Sequence, residues 1–154
     1  MRFFTHLSFA LLLSLLFVYF LKIEEKVFFI GVVLLFSLLP DIDESHSYIG
    51  KRMKLLSLPL HFIFGHRTIF HSFFIPFLIF IALYFVNWYI ALAAFIGYIS
   101  HLILDMMTLS GIAIFYPFSE WKIRGFVRTD SFFDYFLFLL FLLGSVWLLW
   151  QILY

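Results

Sequence analysis

The chain has 154 residues, of which 65% are hydrophobic and 12% charged, with a formal net charge of +1. Soluble domains carry about 25% charged residues, so the composition excludes an ordinary soluble domain. No nucleic-acid partner is expected. Cysteine is absent, which excludes disulfides and thiolate metal sites and leaves His, Asp and Glu to ligate any metal.

Apolar stretches recur along the whole length, and mean hydropathy is +1.10. This pattern predicts an all-α, polytopic transmembrane helix bundle of about five spans, forming a single transmembrane domain over residues 1–154. The first span runs from Leu7, or from Phe3, to Leu21. The opening "MRFFTHLSFALLLSLLFVYF" could pass for a signal peptide with Arg2 as its n-region. No small-x-small cleavage site follows it, so a retained span is expected. The second span, Val27 to Leu39, covers about 20 Å, short of a hydrocarbon core of about 30 Å. Tilted neighbours or a locally thinned bilayer are expected there. The third span covers Ile69 to Val86, the fourth Trp88 to Leu104 and the fifth Phe132 to Tyr154. Two further patches, "LLSLPLHFIF" (55–64) and "GIAIFYPF" (111–118), are too short to cross. Both are expected to be interfacial or re-entrant.

Threading five spans puts eight of the ten Lys and Arg on the side of the N-terminus and only Lys22 and Lys26 on the other. The positive-inside rule makes the first side cytoplasmic, with the N-terminus inside and the C-terminus outside. All six histidines and seven of nine acids fall on that same side. The far side is nearly featureless apart from "KIEEK".

Four stretches converge at the cytoplasmic end. "FFTHLS" carries His6, and "LLPDIDES" carries Asp41 and Asp43. "GHRTIFHSF" carries His66, Arg67 and His71, and "GYISHLILDMMT" carries His101 and Asp105. His101 and Asp105, four apart, share a helix face. Taken singly, each stretch has an ordinary explanation: a helix-end pair, an acidic turn, a hydrated interfacial histidine. Taken together, they would be costly unpaired. A charge at the centre of a membrane helix costs roughly 2.5–3.5 kcal/mol, and less near its ends. A shared divalent cation pairs carboxylates and neutral imidazoles at once. Nitrogen and oxygen donors without sulfur suit Zn²⁺ first, with Mn²⁺ or Fe²⁺ as alternatives. His46 and His61 read as ordinary loop and interface residues. Asp130 and Asp134, at the start of the fifth span, read as capping groups.

These motifs resemble the membrane-bound, metal-dependent hydrolase family of bacteria and archaea called YdjM-like. The resemblance covers roughly residues 5–130. It implies an integral cytoplasmic (inner) membrane protein of a prokaryote, holding one or two metal ions on His6, Asp41, Asp43, His66, His71, His101 and Asp105. Family members often carry His-Arg-Gly-x-x-His-Ser where this chain has Thr68 in place of the glycine. The His-x-x-x-Asp spacing is also similar to that of zinc-dependent phospholipases C.

The function expected is a hydrolase at the cytoplasmic face, acting through a metal-activated water. Asp43 is the expected general base and Arg67 the expected donor to phosphate oxygens. Arg124 and Arg128 are read as ordinary positive-inside charge. The substrate class expected is a phosphoester or phospholipid-like molecule from membrane lipid. Two alternatives stand beside it: a metal-binding membrane protein without catalysis, and an ion or metal transporter. Transport needs polar groups along a path that reaches both faces, and the spans offer few.

Overall fold

The computed structural model of the protein describes residues 1–43 and 69–154. Five α-helices are found among them: α1 (Phe3–Leu21), α2 (Lys26–Ser37), α3 (Phe74–Tyr84), α4 (Trp88–Met106) and α5 (Phe132–Leu153). Helices α1, α4 and α5 are long and apolar enough to cross a membrane, while α2 and α3 are shorter apolar helices of 12 and 11 residues. No strand is present among the described residues, only two isolated bridges, Thr108 with Val127 and Ile112 with Ile123.

Local chemistry explains where the helices start and stop. Lys22 ends α1 in the left-handed region, at φ 50°. Asn87 caps α4 by accepting from the backbone N–H of Tyr89 (2.9 Å) and Ile90 (3.3 Å). Ser131 caps α5 by accepting from the Asp134 N–H at 3.4 Å. The second span ends two residues earlier than its hydropathy suggests. Pro40 has no N–H to continue the ladder, and Leu39–Asp43 form a 3-10 turn instead. The third span is not helical from Ile69. A 3-10 turn over Ile69–His71 comes first, and α3 then starts with Pro76 in its first turn, where a missing N–H costs nothing. The patch 111–118 is not helical. It belongs to a connection held by backbone pairs, including Leu109 N–H to Val127 O (3.0 Å) and Ile112 N–H to Ile123 O (3.1 Å). The patch 55–64 lies outside the described residues.

Helix α4 is the centre of the bundle and packs against α1, α2 and α3. Eleven of its 19 residues are buried. Helix α5 packs along α1 and buries only Asp134, Leu137, Ser145 and Leu148. Its exposed Leu143, Trp147 and Trp150 suit lipid contact. Helices α2 and α4 approach closely. A Cβ on Gly97 would collide with the carbonyl of Val33, so only glycine admits this spacing. Ala93, one turn earlier, is also buried in that seam.

The helices alternate in direction. The starts of α1 and α5 meet the ends of α2 and α4 at one end of the bundle, as contacts between Thr5 and Asp134, His6 and Asp105, and Ser37 and His101 show.

Candidate metal centre

The close α2–α4 seam sets up the first contact. Ser37 is the last residue of α2, and its carbonyl is one of those that a helix end leaves without an internal partner. Gly97 lets that carbonyl approach α4, and the Nδ1 of buried His101 lies 2.8 Å from it. A carbonyl only accepts, so Nδ1 carries the proton. In its neutral form the ring then presents a lone pair at Nε2. That nitrogen faces two carboxylates, Asp41 Oδ1 at 3.5 Å and Asp105 Oδ2 at 3.7 Å. Among the described residues it has no hydrogen-bond partner. A lone pair aimed at two anions is repulsive unless a proton or a cation lies between them.

The remaining groups complete a ring of donors. His6, in the first turns of α1, places Nε2 3.5 Å from Asp105 Oδ1 and stacks its ring on His101 at 3.9 Å and 14°. His71, at the end of the 3-10 turn before α3, places Nε2 3.5 Å from Asp105 Oδ2. The turn is fixed from below, because the Tyr98 hydroxyl donates to the Phe70 carbonyl at 2.7 Å and the Ser72 hydroxyl to the Ile69 carbonyl at 2.7 Å. The Met1 amino group also lies 3.2 Å from Asp105 Oδ1. His6, His71, His101 and Asp105 are fully buried, and Asp41 alone is partly open.

This donor set fits a small divalent ion. The spacings of 3.5–3.7 Å are too long for good hydrogen bonds. Two ligand atoms held about 2.1 Å from one tetrahedral ion stand about 3.4 Å apart, close to what is seen. Two triads bring three such atoms together, His6–His101–Asp105 and Asp41–His71–His101, with the ligand atoms of each within 4.8 Å of one another.

Comparison with known proteins gives the family. The family model described as YdjM inner membrane protein matches residues 1–153. The chain belongs to the YdjM family. Inner membrane protein YdjM of Escherichia coli (strain K12) is 36% identical over 94 residues, covering 56% of this chain and 47% of that protein. Uncharacterized protein YvsG of Bacillus subtilis (strain 168) is 36% identical over 100 residues, covering 62% of each chain. The match to the Escherichia coli protein thus spans about half of its length. No solved structure matches the chain. Family and apolar helices together make this an integral inner membrane protein.

Of the seven YdjM-like candidates read from the sequence, five converge: His6, Asp41, His71, His101 and Asp105. The backbone of Asp43 lies in the 3-10 turn beside Asp41. Its side chain, together with His66 and Arg67, lies outside the described residues. Sequence reasoning missed the Ser37 carbonyl, because every residue has one and no side chain marks it. The sequence position of Asp134 suggests a capping group. It does accept from the Asp130 N–H (3.1 Å), but it is fully buried and also accepts from the Thr5 hydroxyl (2.7 Å) and Arg2 Nε (3.3 Å). The Arg2 guanidinium lies over the Tyr135 ring, 3.3 Å from its centroid. Asp134 therefore locks α5 to the start of α1 and so supports His6, one residue beyond Thr5. The available signal was a carboxylate one turn into an apolar helix, which needs a partner in lipid.

Proposed function

We propose that this protein binds one divalent transition metal, with zinc favoured, and hydrolyses a phosphoester or phospholipid-like substrate at the cytoplasmic face of the inner membrane. The observation that carries the reading is the His101 ring, fixed by Ser37 with its Nε2 lone pair turned toward Asp41 and Asp105. His6, Asp41, His71, His101 and Asp105 would hold the ion. Both triads use His101, and a ring whose Nδ1 is bound to a carbonyl has one ligand atom left, which favours one ion over two at these five residues. When bound, such an ion supplies Lewis acidity that lowers the pKa of water toward neutrality.

The chain's own residues do the rest. Ser37 holds His101 in one tautomer, as carbonyl partners do for metal-ligating histidines. Asp41 sits on the open edge, where substrate would enter, and Asp43 beside it is the proposed general base. Arg67 is proposed to bind phosphate oxygens by its forked donors. Membrane lipid or a phosphorylated small molecule is the substrate class this favours. The positive-inside count supports an N-terminus inside and a C-terminus outside.

The test is direct. Purified protein should carry stoichiometric metal by elemental analysis, and His101→Ala and Asp105→Ala should lose it together with phosphoester hydrolysis. Metal-free wild type that stays folded and active would end the proposal. A second reading is favoured by one observation: the five donors come from α1, α4 and two 3-10 turns, so an ion could serve only to staple them. Under that reading, variants that lose metal also unfold, and no hydrolysis is found in the wild type.

A further inference from the structure

The far end of the bundle is not featureless. A cavity of about 380 Å³ opens between the α1–α2 connection and the start of α4. Its floor is apolar and buried, made by Ile23, Phe29 and Ala93. Its rim is charged. Lys22, Glu24 and Glu25 line it, and all three are exposed. Opposite charges so close in sequence would be expected to pair, yet among the described residues these three make no ion pair. Lys22 ends α1 with a left-handed backbone, φ 50°. Exposed Trp88 and Tyr89, with rings stacked at 3.9 Å, stand beside the opening. Such amphipathic rings sit at the level of lipid headgroups.

We propose that this cavity is a binding site for a zwitterionic aminophospholipid of the leaflet opposite the metal centre. The occupant follows from the rim chemistry. Two carboxylates and one ammonium ask for a ligand with both signs, and among the lining residues, which do not include the neighbouring exposed Lys26, the excess of anion disfavours a purely anionic headgroup. A primary ammonium donates hydrogen bonds to Glu24 and Glu25, which a trimethylammonium cannot do. Lys22 meets the phosphate, and the apolar floor takes the glycerol end of the acyl chains. The volume lies within the usual range of small-ligand sites, about 300–1,000 Å³.

The experiment uses the intact chain in detergent, with phosphatidylethanolamine, phosphatidylcholine and phosphatidylglycerol of matched acyl chains. Retention is read by native mass spectrometry and stabilisation by thermal melting. Phosphatidylethanolamine should be retained about tenfold over phosphatidylglycerol, the size expected of charge-assisted hydrogen bonds. The double variant Glu24→Gln, Glu25→Gln should abolish that preference, and both positions are exposed, so folding is not at stake. Ala93→Phe, which fills the floor, should lower retention of all three lipids. Equal retention of the three lipids by the wild type, or a preference that survives the double Gln variant, overturns the proposal. Because the wild-type comparison needs no variant, the test stands whatever Ala93→Phe does to the fold.

Discussion

Replacing Gly97 with alanine tests the seam on which the metal centre is built. On helix propensity alone the change should stabilise α4 by about 1 kcal/mol. The structure predicts the opposite sign. The new Cβ meets the Val33 backbone, which cannot swing aside as a side chain tip would, so α2 has to move. Overpacking of this kind costs about 1–3 kcal/mol. Movement of α2 also pulls the Ser37 carbonyl from His101 Nδ1, a buried contact of 2.8 Å whose loss leaves both groups unsatisfied. That adds about 1–3 kcal/mol. Set against the propensity gain, the net loss is about 3 kcal/mol. Unfolding in mixed micelles, followed by helical circular dichroism, measures it. A companion effect is expected on metal affinity, which should fall by about 10–100-fold as His101 loses its orienting partner. A Gly97→Ala protein as stable as wild type, or more so, would refute the close approach and with it the account of how His101 is held.

Asp134→Asn should cost about 2–3 kcal/mol in the same unfolding assay, because Arg2 is left largely buried beside a neutral group, whereas Thr5→Val, which removes a single donor, should cost about 1 kcal/mol. Asp41→Ala should lower metal affinity measured by competition with a chelator dye while moving the unfolding midpoint little, since Asp41 is partly open and lies on a turn outside the helical core. Gly111→Ala should destabilise by about 1–2 kcal/mol, because Gly111 has φ 60° and a Cβ there meets the Ile123 carbonyl.

Composition alone made the helices legible, because long runs of Leu, Phe and Val have few other uses in a chain so poor in charge. It did not fix their ends. Hydropathy counts Leu38 and Leu39 as span, but α2 ends at Ser37 and the chain takes 3-10 geometry from Leu39 through Pro40, and that turn is what delivers Asp41 to His101. Hydropathy likewise counts Ile69 and Phe70 as span, although their turn presents His71. The histidines and aspartates of the centre were legible because unpaired they are expensive in lipid. The groups that orient them were not. The Ser37 carbonyl is backbone, and Gly97 in "IGYIS" looks like any glycine of a membrane helix until Val33 is seen against it. The far cavity was hidden for another reason. "KIEEK" reads only as the polar connection between two spans, and the cavity it rims appears once the start of α4 is seen beside it.

The short second helix, which looked like a mismatch with the bilayer, is better understood as part of the site. Its 12 residues span about 18 Å, against about 28 Å for the 19 residues of α1 and of α4. A helix that stops short leaves carbonyls to be satisfied where water is scarce, and irregular backbone at such depth persists only against protein or a polar cavity. His101 meets that need from five residues inside the end of α4, and in doing so its ring is committed to one tautomer. Lengthening α2 by one turn would remove the need and the tautomer together. An insertion of four alanines before Ser37 should therefore leave the bundle helical by circular dichroism and abolish stoichiometric metal. Retained metal in that variant would show that His101 is oriented by something other than the end of α2.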